Sequence, residues 1–218
     1  MAEACYLNGV KRVFFSSSAC VYPIHYQETD KVHRLKETDA YPSNPDSEYG
    51  WEKLFSERVW QSYSEDRGLE VRIGRYFNIY GPESITDTLK SKAPMALTRK
   101  VIESEGDVEV WGDGNQKRSF TYIDDCVEAT YRLMKSDIEE PVNIGTEELM
   151  SINKLVDRIA KISGKKVKKV HLMDKVQGVR TRHSNNLKAK KLLKWERKIP
   201  INKGLKNLYD WYIKTHVK

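Results

Sequence analysis

Cysteine is scarce in these 218 residues: Cys5, Cys20 and Cys126 are the only three, and they form no CxxC pair and no Cys/His cluster. Neither a disulfide framework nor a zinc site is expected from so few thiols so far apart. No apolar run approaches the roughly 18 residues needed to span a bilayer. The N-terminal MAEACYLNGVKR also lacks the basic-then-apolar order of a secretion signal. The expectation is a soluble cytoplasmic protein with no membrane attachment and no bound metal. Glycine is thin as well, at 12 residues, and none of it forms a GxGxxG or GxxGxxG run. The sequence therefore lacks the turn that lets a dinucleotide pyrophosphate sit against a helix N-terminus.

What is present suffices for a folded core. The chain is 39% hydrophobic and 32% charged, with 5 Trp and 12 Tyr, a composition unlike that of disordered or low-complexity sequences. Its formal charge of +7 is unevenly spread, because residues 151–218 hold 20 Lys and Arg against 4 Asp and Glu. The basic last third raises nucleic acid or phosphate as candidate ligands. No module with aromatic stacking positions accompanies it, so nucleic acid is not the expected partner.

Periodicity predicts a short buried strand over residues 10–15, then a polar stretch, then a helix over 47–66 with Leu54, Phe55, Val59, Trp60 and Tyr63 at helical spacing. Gly68 supplies the stop, and a second strand follows over 70–80 up to Gly81-Pro82. Strand, helix, strand is the order of a parallel sheet. Further helices are predicted over 93–105, 123–135, 152–163 and 204–215, and short strands over 108–111, 141–144 and 167–171. The sequence contains no internal repeat and no long linker.

Within the first predicted helix, Tyr49 and Lys53 stand at i and i+4, on one face. A neighbouring ammonium favours the phenolate, so Lys53 is expected to lower the Tyr49 pKa towards the range of a general base. Such a pair also arises by chance on ordinary helices. Three other segments strengthen it: Ser16-Ser17-Ser18-Ala19-Cys20-Val21-Tyr22-Pro23 at the end of the first strand, Asn78-Ile79-Tyr80-Gly81-Pro82 at the end of the next, and Trp111-Gly112-Asp113-Gly114 with Arg118-Ser119-Phe120-Thr121-Tyr122-Ile123-Asp124-Asp125 beyond it.

Together with RIGRYFNIYGP, PVNIG and the late GVRTR, these motifs resemble the extended short-chain dehydrogenases/reductases that act on nucleotide sugars. The resemblance covers almost the whole chain, and the Cys20/Lys92 pair is most similar to the GDP-mannose 3,5-epimerase branch; the 4-epimerases and 4,6-dehydratases are the alternatives. It implies an α/β fold: the latter part of a Rossmann-type parallel sheet over 1–82, and a smaller sugar-nucleotide lobe over 83–218 whose residues 108–146 return in part to the sheet. It implies NAD as cofactor, with Tyr49 and Lys53 at the nicotinamide ribose, and a homodimer. Tyr49 would take the proton of the sugar C4 hydroxyl, which Ser18 also hydrogen-bonds, and the resulting ketone would acidify the hydrogens at C3 and C5. Cys20 and Lys92 would then be the acid/base pair on opposite faces of the ring. Ser18, Ala19, Cys20, Asn78, Lys92, Lys100, Gln116, Lys117, Arg118 and Arg182 would contact the sugar nucleotide. Read without the resemblance, Lys100 and Lys117 are equally ordinary solvated charges, and Cys20 is more often a buried structural thiol, as Cys5 and Cys126 are expected to be.

Because the glycine-rich turn is lacking, the resemblance also implies that about the first third of a full-length member lies outside this sequence. A fragment, one half of an enzyme completed by a separate nucleotide-binding polypeptide, and a chain that only binds nucleotide sugar are the three expectations this leaves.

Overall fold

A computed structural model of the chain describes residues 1–87 and 91–217. The elements run α1 (Ala2–Leu7), β1 (Arg12–Ser18), β2 (Arg34–Leu35), α2 (Glu48–Arg67), β3 (Glu70–Tyr76), β4 (Ile79–Tyr80), α3 (Ala93–Glu103), β5 (Asp107–Trp111), β6 (Lys117–Ser119), β7 (Thr121–Tyr122), α4 (Ile123–Lys135), β8 (Val142–Ile144), β9 (Leu149–Ser151), α5 (Ile152–Ser163), β10 (Lys168–Leu172), β11 (Thr181–Ser184), α6 (Leu187–Leu193) and α7 (Ile201–His216). The result is an α/β fold. β1, β3 and β8 form a three-stranded parallel sheet in that order, while β2, β11, β6 and β9 form a second sheet. In the second, only the β6–β9 pair is antiparallel.

Helix α2 shows why the sequence pattern works. The Ser47 hydroxyl accepts from the Gly50 N–H and caps its start, and Gly68, at φ +68°, ends it in the left-handed region that glycine enters without strain. Leu54 and Trp60 go inward, and Trp60 packs with Val71 and Ile73 of β3. A larger core lies between α3, α5 and α7, where Val101, Leu155, Ile159, Leu205 and Leu208 are fully buried.

The predicted second strand is divided in two. Asn78 adopts φ +44° between β3 and β4, and its side-chain amide donates to Ser119 O at 2.9 Å. Asn tolerates this left-handed geometry where most residues do not, so a strand reading based on hydrophobicity passes straight through the break.

The charge asymmetry is partly resolved inside the molecule. Basic residues of the last third meet acidic residues of the first two thirds: Arg180 with Asp30 and Asp113, Arg182 with Asp46, Arg158 and Arg197 with Glu148, and Lys188 with Glu140. Among the described residues no helix is long and apolar enough to cross a membrane, and no group of three or more His, Cys, Asp or Glu is arranged to hold a metal.

His183 of β11 makes the fold sensitive to acid. Its Nε2 donates to Glu147 O at 3.0 Å, while its Nδ1 is buried without a partner. Burial holds its pKa below the ordinary histidine value. The unfolded chain therefore takes up this proton at a higher pH than the native state does. The stabilising contribution is present above the ordinary histidine pKa and is lost as pH falls below it. Thermal unfolding between pH 7 and 5 should show stability falling, with at most about 1.4 kcal/mol per pH unit from this group. His183→Asn should flatten that slope; an unchanged slope would assign it to other groups.

Candidate functional site

The C-terminal end of β1 runs into a 3-10 turn, Ala19–Val21, in which the Ser18 hydroxyl accepts from Cys20 N–H. Helix α2 crosses this turn at Gly50, where an added Cβ would lie 2.3 Å from Cys20 O. Only glycine permits that approach, which brings Tyr49 beside Ser18 and Cys20. Under the crossing, Glu57 of α2 is 1% exposed and Arg75 of β3 is 2% exposed. Arg75 Nη2 donates to Glu57 Oε2 at 2.6 Å and its Nε to Oε1 at 2.9 Å. Ser17 of β1 also donates to Glu57. This buried pair fixes the helix against the strand ends.

Beside the crossing lies a cavity of about 640 Å³, within the size range of small-molecule sites. It brings together Ser18, Ala19, Cys20, Tyr49, Lys53, Asn78, Lys92, Lys100, Gln116, Arg118 and Arg182. Of the expected site residues only Lys117 lies outside. Consecutive strand residues point to opposite faces, so on β6 Arg118 faces the cavity while the Lys117 ammonium is turned away, 4.0 Å from Asp30.

One other expectation is corrected. Lys53 does not lower the Tyr49 phenol. Burial raises the pKa of Tyr49 above its ordinary value, and a hydrogen bond with Ser18 only partly opposes this. The Lys53 ammonium instead donates to Ser16 O at 3.0 Å and lies 5.6 Å from the centroid of the Tyr49 ring. Arg182, at the cavity wall, donates from Nε to Gln27 Oε1 at 2.6 Å, from Nη2 to Asp46 Oδ2 at 2.7 Å and from Nη1 to Cys20 Sγ at 3.1 Å, which uses three of its five N–H donors.

Arg118 is less engaged. It donates to the Lys117 and Val179 carbonyls at 2.8 and 2.6 Å, and among the described residues it forms no ion pair. Burial, and the nearby Arg182 charge, pull its pKa down to about 10. A half-buried guanidinium in this state gains from an anion. Gln116 adds an acceptor: its Nε2 donates to Trp111 O at 3.0 Å, while its Oε1 is buried and unpartnered. Lys100 is drawn to Glu109 Oε2 at 3.2 Å. Cys126 is a structural thiol, buried on α4, with its pKa pushed up to about 11 by burial. Gln27 and Asp46, which hold Arg182, gave no signal in the sequence, because nothing there ties positions 27 and 46 to position 182.

Residues 1–145 match the family model described as the NAD dependent epimerase/dehydratase family. GDP-mannose 3,5-epimerase of Arabidopsis thaliana is 45% identical over 97% of this chain, and UDP-glucuronate 4-epimerase of Thermodesulfobacterium geofontis is 32% identical over 93%. This chain spans 56% of the Arabidopsis relative and 59% of the bacterial one. Among solved structures, UDP-glucose 4-epimerase of Thermotoga maritima with UDP-glucose superimposes with a TM-score of 0.87 at 30% identity, covering 98% of this chain and 67% of that one. UDP-glucuronic acid 4-epimerase of Bacillus cereus, solved with UDP-glucuronic acid and NAD, gives 0.85 at 28% identity, covering 99% and 65%. With the family match running through well over half of its length, and the same α/β fold in these neighbours, the chain belongs to the NAD dependent epimerase/dehydratase family.

Proposed function

We propose that this chain is the catalytic and substrate-binding part of a nucleotide-sugar epimerase of the GDP-mannose 3,5 type. The observation that carries the reading is that Cys20 and Lys92 line the same cavity as the Tyr49–Lys53 pair. A 4-epimerase has no use for a thiol and an amine beside its tyrosine, whereas inversion at C3 and C5 requires an acid and a base.

The donor set suits one end of NAD. An ammonium has three donors, and Lys53 commits one to Ser16 O, leaving two for a ribose diol next to the Tyr49 phenol. The chain carries no glycine-rich turn for the pyrophosphate, so its own residues would hold the nicotinamide end. When bound, NAD accepts the hydride from the sugar C4 and later returns it.

The remaining steps belong to the protein. Tyr49 takes the proton of the C4 hydroxyl while Ser18 orients that hydroxyl. A ketone at C4 delocalises the charge left when a hydrogen departs from C3 or C5, so one oxidation opens both centres. Cys20 and Lys92 remove and return those protons. Arg118 meets the diphosphate, and the free Gln116 Oε1 accepts from a donor of the nucleotide. The family lobes extend the same proposal: residues 1–82 as the remaining Rossmann part, residues 83–218 as the sugar-nucleotide lobe, with a homodimer as the working assembly.

The test incubates the chain with GDP-mannose and NAD in heavy water, alone and with the nucleotide-binding half of a relative added in trans. Deuterium at C3 and C5 is expected, and Cys20→Ala should cut its uptake by about 10²–10⁴-fold, the usual contribution of a proton-transfer group. No uptake in either arrangement would overturn the reading. Conversion at C4 without deuterium, indifferent to Cys20→Ala, would replace it with a 4-epimerase.

A further inference from the structure

Residues 173–179, between β10 and β11, form part of the cavity wall and are tied down at both ends. At the first end Leu172 O accepts from Gly112 N–H at 2.8 Å. At the other, the Arg180 side chain joins three loops. Its Nε and Nη2 donate to the two oxygens of Asp30, in the loop ahead of β2, at 2.8 and 3.1 Å. Its Nη1 donates to both oxygens of Asp113, in the turn between β5 and β6, at 2.9 and 2.8 Å. Asp113 is itself fixed, accepting from the Asn115 N–H at 2.9 Å and from the Asn115 side-chain amide at 3.2 Å. Between the ends, Gln177 lies so closely across Gly112 that a side chain there would collide with it. Val176 and Gln177 both line the cavity, and Val176, at 82% exposed, stands at its mouth with apolar surface that a bound molecule would cover. Val179 O accepts from Arg118 Nη2 at 2.6 Å, so the same segment also places the Arg118 guanidinium.

We propose that residues 173–179 are a strap that retains a nucleoside diphosphate in the cavity, and that Arg180, held between Asp30 and Asp113, is the positioning residue that keeps the strap closed. Isolated exposed ion pairs do little, because long side chains lose freedom and water screens the charge; a bidentate pair tied into a network is the exception. The Arg180 side chain is 23% exposed, against 33% for Asp113 and 60% for Asp30, so the Asp113 side of the clamp is the firmer. Asp30 also lies 4.0 Å from the Lys117 ammonium. The backbone of Arg180 is held separately, its N–H donating to Gln27 O and its O accepting from Lys117 N–H, both at 2.8 Å. Losing the clamp therefore leaves β11 in place but frees the strap from the Gly112 turn on which it rests. Strap and turn can then part, and loop motions of this kind set how fast ligands leave a site. The ligand class rests on the nucleotide-sugar reading, but the strap requires only that a nucleotide bind, not that any bond change.

Two measurements on the full chain test it. The first is native cleavage by endoproteinase Lys-C without ligand, resolved by mass spectrometry. Lys175 is exposed, but its segment must leave the body of the protein to fit a protease, so the cut after it reads strap opening. Arg180→Gln removes both ion pairs and should speed this cut by about three- to tenfold, and Asp30→Ala, which removes the more exposed pair, by about two- to threefold. Cleavage after Lys53, inside α2, reports global unfolding and should not change. The second is the release rate of GDP and of UDP by stopped-flow tryptophan fluorescence, since Trp111 lines the cavity. Release should quicken in each variant by the factor seen at Lys175. Should Arg180→Gln unfold, Asp30→Ala decides alone. Wild-type cleavage at Lys175 in the folded variants, faster cleavage with unchanged release, or no binding of either nucleotide by the wild type would overturn the proposal. Deuterium exchange at C3 and C5 does not enter these outcomes, so the strap can fail while the epimerase chemistry stands, and the reverse.

Discussion

Glu57→Ala is expected to destabilise the chain by about 3–5 kcal/mol, the cost of removing one partner from a buried ion pair. The substitution leaves Arg75, 2% exposed, with a charge that no water reaches. Its remaining contacts, Glu37 O at 2.7 Å and the Tyr22 hydroxyl at 3.3 Å, carry no full negative charge, because burial keeps the Tyr22 phenol well above its ordinary pKa. Chemical denaturation of the wild type and variant gives the number. Replacing the pair together, with Glu57→Leu and Arg75→Met, should recover most of the loss, since much of the single-variant effect is an unpaired charge rather than a missing attraction. A loss under about 1 kcal/mol for Glu57→Ala would mean that water enters and solvates Arg75. The pair bears on function through helix geometry. Glu57 lies one turn beyond Lys53 and two beyond Tyr49, on the same face of α2, so the bond that anchors the helix to β3 also sets where the phenol and ammonium stand.

Much of this was legible in the sequence because it depends on local chemistry. α4 and α5 lie at the predicted residues, and α2 differs by a residue at each end, since hydrophobic spacing and the Ser47 and Gly68 caps are local signals. The motifs that meet at the cavity were visible because each contains unusual chemistry: three serines before a thiol, a phenol and an ammonium one turn apart. What escaped is of two kinds. β11 was missed because Thr181–Ser184 is wholly buried yet polar, and the Thr181 hydroxyl, the Arg182 guanidinium and His183 Nε2 find partners far away in the chain. The state of individual groups escaped for the same reason. The Tyr49–Lys53 spacing suggested a lowered phenol, but where the ammonium rests is decided by Ser16 O, 37 residues away. Arg182 and Arg118 looked alike in the sequence, yet Arg182 bonds Gln27, Asp46 and Cys20 while Arg118 forms no ion pair among the described residues.

Tyr49→Phe should abolish deuterium exchange at C3 and C5, by about 10²–10⁴-fold or more, while barely altering stability. Tyr49 is 49% exposed, and losing one half-exposed hydroxyl lies within the roughly 0.5 kcal/mol typical of surface changes. A folded, nucleotide-sugar-binding variant without exchange would thus assign the loss to chemistry. In the proposed reaction the effect reaches C3 and C5 even though Tyr49 would act at C4, because no hydrogen at the neighbouring carbons is acidic until C4 is a ketone. The Cys20→Ala variant supplies the contrast: it should form the ketone but fail to exchange, so reduced nicotinamide should accumulate at the start of its reaction and not in Tyr49→Phe. The direction of the pH dependence follows from the environment of the phenol. Burial raises the Tyr49 pKa, so the fraction of base grows as pH increases, and C4 oxidation should speed up on the alkaline side until the phenol is titrated. If Tyr49→Phe keeps the wild-type exchange rate, the base for the C4 hydroxyl is another group, and the role assigned to the α2 pair falls with it.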